Sequence, residues 1–250
     1  MKPEQKAQIA PHPVLPEYYD NEGTRRKVVD AMFDASARHY DWITTMMSFG
    51  SGKWYRRQAL LRAGVAPGMR LLDAGAGTGV IAHIAQDITG EDGLVVALDP
   101  SKGMLNEARK LGVQHTAQGL GEGLPFPDNS FDRVTMGYAL RHVADLKTLF
   151  AEYLRVLKPG GGMLILEITR PENKLGLAVL KCYLKGVVPT LTRLFRRSSD
   201  AQKLMRYYWD TIENCVPPAT ILDAMAQAGV HQPRRHVVQG IFSEYSGSKT

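Results

Sequence analysis

The sequence predicts an α/β fold: a doubly wound, mostly parallel seven-stranded sheet with helices before it and an inserted helical cover. Three observations carry this. Apolar Leu71-Leu72 runs through Asp73-Ala74 into the glycine turn Gly75-Ala76-Gly77-Thr78-Gly79 and then into a helical pattern, which marks a strand-turn-helix junction. Beyond that helix a second apolar run, Leu94-Val95-Val96-Ala97-Leu98, ends on Asp99. Strands and helices go on alternating through residues 69–168, which requires parallel pairing by right-handed crossovers and places a ligand at the carboxyl edge of the sheet.

Residues 1–22 are polar and carry Pro3, Pro11, Pro13 and Pro16, so they predict a flexible, extended arm ahead of one domain over residues 23–250. From Arg25 to about Met47, Val28, Val29, Met32, Phe33, Ala37, Tyr40 and Ile43 recur at helical spacing and predict one or two amphipathic helices. A helix over 52–63 stops at Gly64, and Pro67-Gly68 turns the chain into a first strand, 69–74. Past the glycine turn, Val80, Ile81, Ile84, Ala85 and Ile88 make the apolar face of a helix that Gly90 ends. Pro100 and Ser101 start the next helix, with Met104, Leu105 and Ala108 inward and Gly112 at its end. Residues 113–117 predict a third strand, 119–126 a loop and 131–137 a fourth strand. Asp145 caps a helix whose Leu146, Leu149, Phe150, Tyr153, Leu154 and Leu157 keep a helical period, and Pro159-Gly160-Gly161-Gly162 ends it before a fifth strand, 163–168. Residues 174–215 break the alternation as a helical cover rich in Leu, Val, Tyr and Lys. A helix over 218–228 and an antiparallel hairpin over 235–245 complete the sheet.

Composition bounds the function more loosely. Hydrophobic content of 44% and charged content of 22% are ordinary for a soluble globular domain. Cys182 and Cys215 have neither metal-ligand spacing nor a disulfide framework, which fits a reducing cytosol, and no His/Asp/Glu cluster suggests a metal. The N-terminus lacks a signal-peptide core and no window reaches the roughly 20 apolar residues of a membrane span, so a cytoplasmic protein is expected. The net charge of +6, with clusters at Arg25-Arg26-Lys27, Arg56-Arg57, Arg193-Arg196-Arg197 and Arg234-Arg235, suits either a solvated face or peripheral contact with an anionic membrane.

The glycine turn has nucleotide-type chemistry. Gly75, Gly77 and Gly79 remove every Cβ that would hold a ligand off the backbone, and they tolerate positive φ at a helix N-terminus. A dinucleotide fold spaces its glycines G-x-G-x-x-G, whereas here the third follows after one residue and Asp73 sits two before the first; this favours S-adenosylmethionine over NAD. Asp99, at the end of the second strand, is placed to meet both hydroxyls of a ribose.

Further pieces are more specific than a fold. The run Met32-Phe33-Asp34, Ala37, His39-Tyr40-Asp41 and Met47-Ser48-Phe49-Gly50 resembles the N-terminal motif of the ubiquinone/menaquinone biosynthesis C-methyltransferases, the UbiE family. So do the glycine turn, Leu124-Pro125-Phe126-Pro127-Asp128-Asn129-Ser130-Phe131-Asp132, the pair Leu140-Arg141 and Arg155-Val156-Leu157-Lys158-Pro159-Gly160-Gly161. The likeness covers roughly residues 28–242. It implies a class I methyltransferase (Rossmann-like) fold, with Asp73, Gly75, Gly77, Thr78, Gly79, Asp99, Pro100 and Met104 around the cofactor. It also implies Leu120 and Gly121 beside the adenine, Gly137 at the end of the fourth strand, and Tyr40 and Arg141 facing the substrate ring. The sequence departs from the family at Leu120, where Asp or Asn is usual, at Gly137, where Ser is common, at Thr44-Thr45 for Met-Asn, and at His142 for Asn.

Methyl transfer to carbon needs an aligned nucleophile and an electron-rich ring. Arg141 is a poor base but can stabilise a developing phenolate, and His142 has the only nearby side chain with an ordinary pKa suited to base work near neutrality. The expected acceptor is a prenylated quinol or similar amphipathic aromatic; an oxygen, nitrogen or lipid-like acceptor, or a non-catalytic scaffold, are the alternatives. Nucleic acid is not expected, because Gly137-Tyr138-Ala139-Leu140 lacks the Pro-Pro-aromatic platform of base-amino methyltransferases. A homodimer remains compatible with the sequence, and the cover is expected to be a mobile lid over the acceptor site.

Overall fold

The computed structural model describes residues 8–47, 51–171, 173–190 and 199–250. The strands are β1 Arg70–Ala74, β2 Leu94–Asp99, β3 His115–Gln118, β4 Phe131–Gly137, β5 Leu157–Ile168, β6 His231–Val238 and β7 Phe242–Ser248. They form one seven-stranded sheet in the order β3-β2-β1-β4-β5-β7-β6, parallel from β1 to β5, with β7 antiparallel between β5 and β6. Strand order reverses between β1 and β4, so the connections leave those strand ends in opposite directions and open a crevice at the carboxyl edge.

The helices are α1 Glu22–Met47, α2 Gly52–Arg62, α3 Val80–Thr89, α4 Lys102–Lys110, α5 Leu146–Val156, α6 Lys174–Cys182, α7 Ser199–Glu213 and α8 Pro218–Ala228. The central strands are apolar on both faces because both are covered. One face sets Leu72, Val134 and Ile165 against Leu149, Phe150 and Tyr153 of α5 and Met225 of α8. The other sets Leu71, Val95 and Leu164 against Leu60 of α2 and Ile81, Ile84 and Ile88 of α3. Asp145 caps α5 by accepting from Thr148 N at 3.0 Å, and Ser101 caps α4 by accepting from Met104 N at 3.0 Å.

Two strand boundaries differ from expectation. β5 begins at Leu157 rather than 163, because Pro159 and the glycines lie in an irregular stretch of strand: Phe131 pairs with Leu157 and Arg133 with Gly162. Gly160, at φ 76°, supplies the left-handed residue that such a bulge needs. β6 begins at His231 because it is the edge strand, and its register shift between His231 and Arg234 accommodates Pro233.

Residues 8–21, expected as part of a flexible arm, are docked. Ile9 N donates to Asp145 Oδ1 at 2.7 Å, Val216 N donates to Pro11 O at 2.8 Å, and Tyr18 Oη donates to Asp210 Oδ2 at 2.6 Å. His12, Leu15 and Tyr19 are buried. Proline keeps the segment extended, and extended chain can seal a groove as well as hang free.

The 174–215 cover is also corrected in its place. α7 buries Leu204, Met205, Tyr207, Tyr208, Trp209 and Ile212 against Leu15, Tyr19, Val29 and Met32, so it is a packed wall behind α1. α6 and the π-helical turn Tyr183–Val187 lie outside it, and α6 contributes no buried residue: Leu175 is 76% and Val179 61% exposed. Among the described residues no helix is long and apolar enough to cross a membrane.

Candidate active site

The glycine turn sits at the carboxyl end of β1 with φ of 69° at Gly75, 56° at Gly77 and 79° at Gly79. Gly75 N and Ala76 N donate to Leu98 O at 2.7 and 3.0 Å, which ties the turn to β2. Asp99 completes the tie: Oδ2 accepts from Gly77 N and Oδ1 from Ser101 N, each at 2.8 Å. Burial pushes its carboxyl up to about 6, against the pull of those two amides. The three glycines serve different ends. A Cβ at Gly79 would come within 2.7 Å of Val113 Cγ2 and 2.8 Å of Ala108 Cβ, so that glycine lets the turn approach α4 and the connection to β3, whereas a Cβ at Gly77 would meet nothing within 4 Å. Gly77 therefore supplies conformation and open space.

That space belongs to a cavity of about 260 Å³ between the turn and α1. Of the residues expected around a cofactor, Gly75, Gly77, Thr78, Asp99, Pro100, Met104, Leu120, Gly121 and Gly137 line it; Asp73 and Gly79 do not. Asp73 lies beneath the turn, where its Oδ1 accepts from Thr135 Oγ1 at 2.8 Å and burial pushes the carboxyl up to about 7. Its part is to support the turn. The opposite wall is α1, which presents Arg25, Arg26, Val29, Asp30 and Phe33 about a turn apart. Asp34 fixes that wall to α4, accepting from Gly103 N at 2.9 Å and from Ser101 Oγ.

Arg141 and His142 share the single-turn 3-10 helix Leu140–His142 after β4, so their side chains point apart. Arg141 is wholly buried and does not line the cavity, which corrects the expectation that it faces the substrate ring. Its Nε donates to Glu167 Oε1 at 3.0 Å, Nη1 to Thr211 Oγ1 at 2.8 Å and Tyr208 O at 3.2 Å, and Nη2 to Tyr138 O at 3.3 Å. The guanidinium also lies 4.4 Å from the Tyr208 ring centroid. It joins the ends of β4 and β5 to α7.

His142 faces the cavity. Its ring stacks on Tyr207 at 5.4 Å and meets the edge of Phe33 at 5.1 Å. Nδ1 lies 3.2 Å from Tyr207 Oη, while Nε2 is buried with no hydrogen-bond partner among the described residues. Burial, then the charges of Arg141, His12 and Arg25, hold the imidazole well below its ordinary range, so it is neutral at working pH but a weaker base than its ordinary near-neutral pKa would make it, which corrects that expectation. Tyr40 falls on α1, and its side chain lies outside the described residues, as do residues 48–50 of the N-terminal motif and the cluster Arg193, Arg196 and Arg197.

Residues 21–249 match the profile of the ubiE/COQ5 methyltransferase family. The chain belongs to this family. A ubiquinone/menaquinone biosynthesis C-methyltransferase UbiE of Shewanella piezotolerans is 33% identical over 230 residues, spanning 89% of this chain and 90% of its own. One from Teredinibacter turnerae is 32% identical over 237 residues, spanning 92% and 94%. Among solved structures, a phosphoethanolamine N-methyltransferase 2 of Haemonchus contortus in complex with S-adenosyl-L-methionine shares the fold at TM-score 0.63 and 19% identity, covering 90% of this chain and 60% of that one. A SAM-dependent methyltransferase of Aquifex aeolicus shares it at TM-score 0.57 and 20% identity, covering 77% and 88%.

This ubiE/COQ5-family chain is thus a SAM-dependent methyltransferase, and its cavity fits that cofactor. The space over Gly77 admits a ligand against the main chain, Asp99 offers a buried carboxylate, and Met104 and Leu120 offer apolar contact for a base. One departure from the family, Gly137, and one shared position, Gly121, have steric readings. A Cβ at Gly137 would come within 2.2 Å of Ile81 Cδ1, so Ile81 fills the place of a serine side chain. A Cβ at Gly121 would come within 2.6 Å of Leu149 Cδ1, so the loop there must pass α5 on bare backbone. The sequence reading missed Arg25, Phe33, Arg56 and Tyr138, all of which line the cavity. Arg25 and Arg56 fall in basic clusters that suit a solvated face or membrane contact, and only packing reveals that Arg25 is 3% exposed.

Proposed function

We propose that this enzyme methylates a ring carbon of a prenylated quinol or a similar amphipathic aromatic. The relatives' printed activity supports the class of acceptor, and one observation carries the chemistry: a neutral histidine with a buried, unpartnered nitrogen in the cavity wall. When bound, S-adenosylmethionine supplies an electrophilic methyl group; the chain must align the ring and raise its electron density. In the proposed tautomer, Nδ1–H of His142 donates to Tyr207 Oη, which leaves the Nε2 lone pair for an acceptor hydroxyl. The positive field of Arg141, His12 and Arg25 that keeps the imidazole neutral also stabilises negative charge on that oxygen as carbon attacks. Arg141 acts as a positioning residue that holds the 3-10 turn against α7. Phe33 and Tyr138 give the ring flat apolar contact.

Incubation with methyl-labelled cofactor and a panel of prenylated and tail-less quinols, phenols and amines tests the reading by product analysis. Label on a ring carbon, with preference for the prenylated quinol, is the expected result; label on oxygen or nitrogen, or preference for the tail-less acceptor, overturns it. His142→Ala should lower kcat roughly a hundredfold or more while cofactor affinity in calorimetry stays at the parental value. A second arm concerns where such an acceptor resides. Leu175 and Val179 on α6 are exposed beside Lys174 and Lys181, and this suits contact with an anionic bilayer surface. Leu175→Asp with Val179→Asp should then abolish sedimentation with anionic vesicles, and an unchanged bound fraction would remove that contact.

A further inference from the structure

Arg56 lines the cavity from α2, half-buried, with its guanidinium 5.1 Å from the ring centroid of Tyr138. Among the described residues its N–H groups meet no acceptor and no carboxylate within ion-pairing distance. The other two arginines lining the cavity differ from it: Arg26 is exposed, and Arg25 is engaged, donating to Arg141 O at 2.9 Å and lying 2.9 Å from His12 Nε2. A half-buried guanidinium held by an aromatic ring, with its donors open to a cavity, is built to receive a planar anion.

The place of Arg56 decides which anion. Asp99, Pro100 and Met104 mark the nucleoside end of the cavity, above β2. Tyr138 follows β4, on the other side of β1, and the turn is close there: a Cβ at Gly75 would come within 2.8 Å of Ala139 Cβ. A ligand whose ribose meets Asp99 therefore runs across the mouth of β1, and its amino-acid end arrives beside Tyr138. We propose that Arg56 is the counter-ion of a carboxylate seated at the β1–β4 end of the cavity, and that this is the methionyl carboxylate of S-adenosylmethionine. The inference rests on the cofactor reading above and adds a binding residue to it. The guanidinium would bind that carboxylate through charge-assisted, side-by-side N–H donors, with the Tyr138 ring holding it at this end of the cavity.

The test is calorimetric binding of S-adenosylmethionine and of its decarboxylated analogue to the parent protein and to Arg56→Gln. The parent is expected to prefer the carboxylated ligand by about ten- to hundredfold, the range for charge-assisted hydrogen bonds. Arg56→Gln should lose most of that preference by weakening only the carboxylated ligand. Arg56→Lys, which keeps charge without the fork, should fall between. A full parental preference in Arg56→Gln overturns the proposal and leaves the cofactor reading standing; no binding of either ligand to the parent overturns both. An acceptor carboxylate is the rival source. If the variant binds S-adenosylmethionine normally but, in complex with S-adenosylhomocysteine, loses affinity for a carboxylated quinol and not for a neutral one, Arg56 serves the acceptor and the cofactor assignment is wrong. Arg56 makes no hydrogen bond among the described residues, so the variants should keep the parental melting temperature.

Discussion

Asp99 is spoken for twice before any ligand arrives, by the amides of Gly77 and Ser101. Asp99→Ala therefore removes the clasp between β2 and the turn and, with it, the carboxylate proposed to meet the ribose. Cofactor affinity measured by calorimetry should fall about ten- to hundredfold, with about 1–3 kcal/mol of stability lost as well; unchanged affinity would end its assignment. Arg141 belongs to a different balance. Burial pushes Glu167 above the ordinary carboxylate range and the Arg141 charge opposes this, so removing the cation leaves a buried acid without compensation. Arg141→Ala should cost about 3–5 kcal/mol in chemical denaturation, and Arg141→Met with Glu167→Leu should recover much of it. Parental stability in the alanine variant would deny the network its role. Asp99 was legible because strand, turn and acid are local in sequence. Arg141 was not, since two neighbours on one turn point opposite ways and no spacing says which of them meets the cavity.

Helices and strands show the same division. β1, β2 and β4 follow from apolar runs that end in turns, and their boundaries agree closely with the sequence pattern. α1 and α7 do not disclose their faces, because a residue such as Arg25 or Tyr207 is assigned to core or surface only by what packs on it. The apolar richness of 174–215 is real, yet the chain divides it: α7 takes the buried share and α6 keeps an exposed one. Hydrogen exchange should separate them. Amides of α7 should be strongly protected in the free enzyme, while those of α6 should exchange quickly and slow when cofactor and a prenylated acceptor are added together. Uniform, strong protection of α6 without ligand would exclude a mobile lid there.

At the scale of the molecule, three buried groups give stability opposing slopes with pH. His142 titrates well below its unfolded value, so the unfolded chain binds the proton first as pH drops under about 6.5, and stability is lost there by up to about 1.4 kcal/mol per pH unit. Asp99, raised to about 6, and Asp73, raised to about 7, act oppositely: the folded state holds their protons longer, so stability declines as pH rises from the ordinary carboxylate value through those points. Asp73→Asn, which keeps an oxygen for Thr135, should therefore gain on the parent when denaturation at pH 8 is compared with pH 5. An equal difference at both values would mean that Asp73 does not titrate in that window. The docked segment 8–21 bears on how the enzyme is made. Pro11 is held by Val216, which leaves the ribosome roughly two hundred residues later, about ten to forty seconds at elongation rates of ~5–20 residues per second. Until then β1 to β5 can pair, and Asp34 can tie α1 to α4, while the segment ahead of α1 still lacks its partner at Val216. Each new copy thus passes through an open-sided nascent form whose lifetime is set by translation, and it is this form that chaperones and proteases first meet.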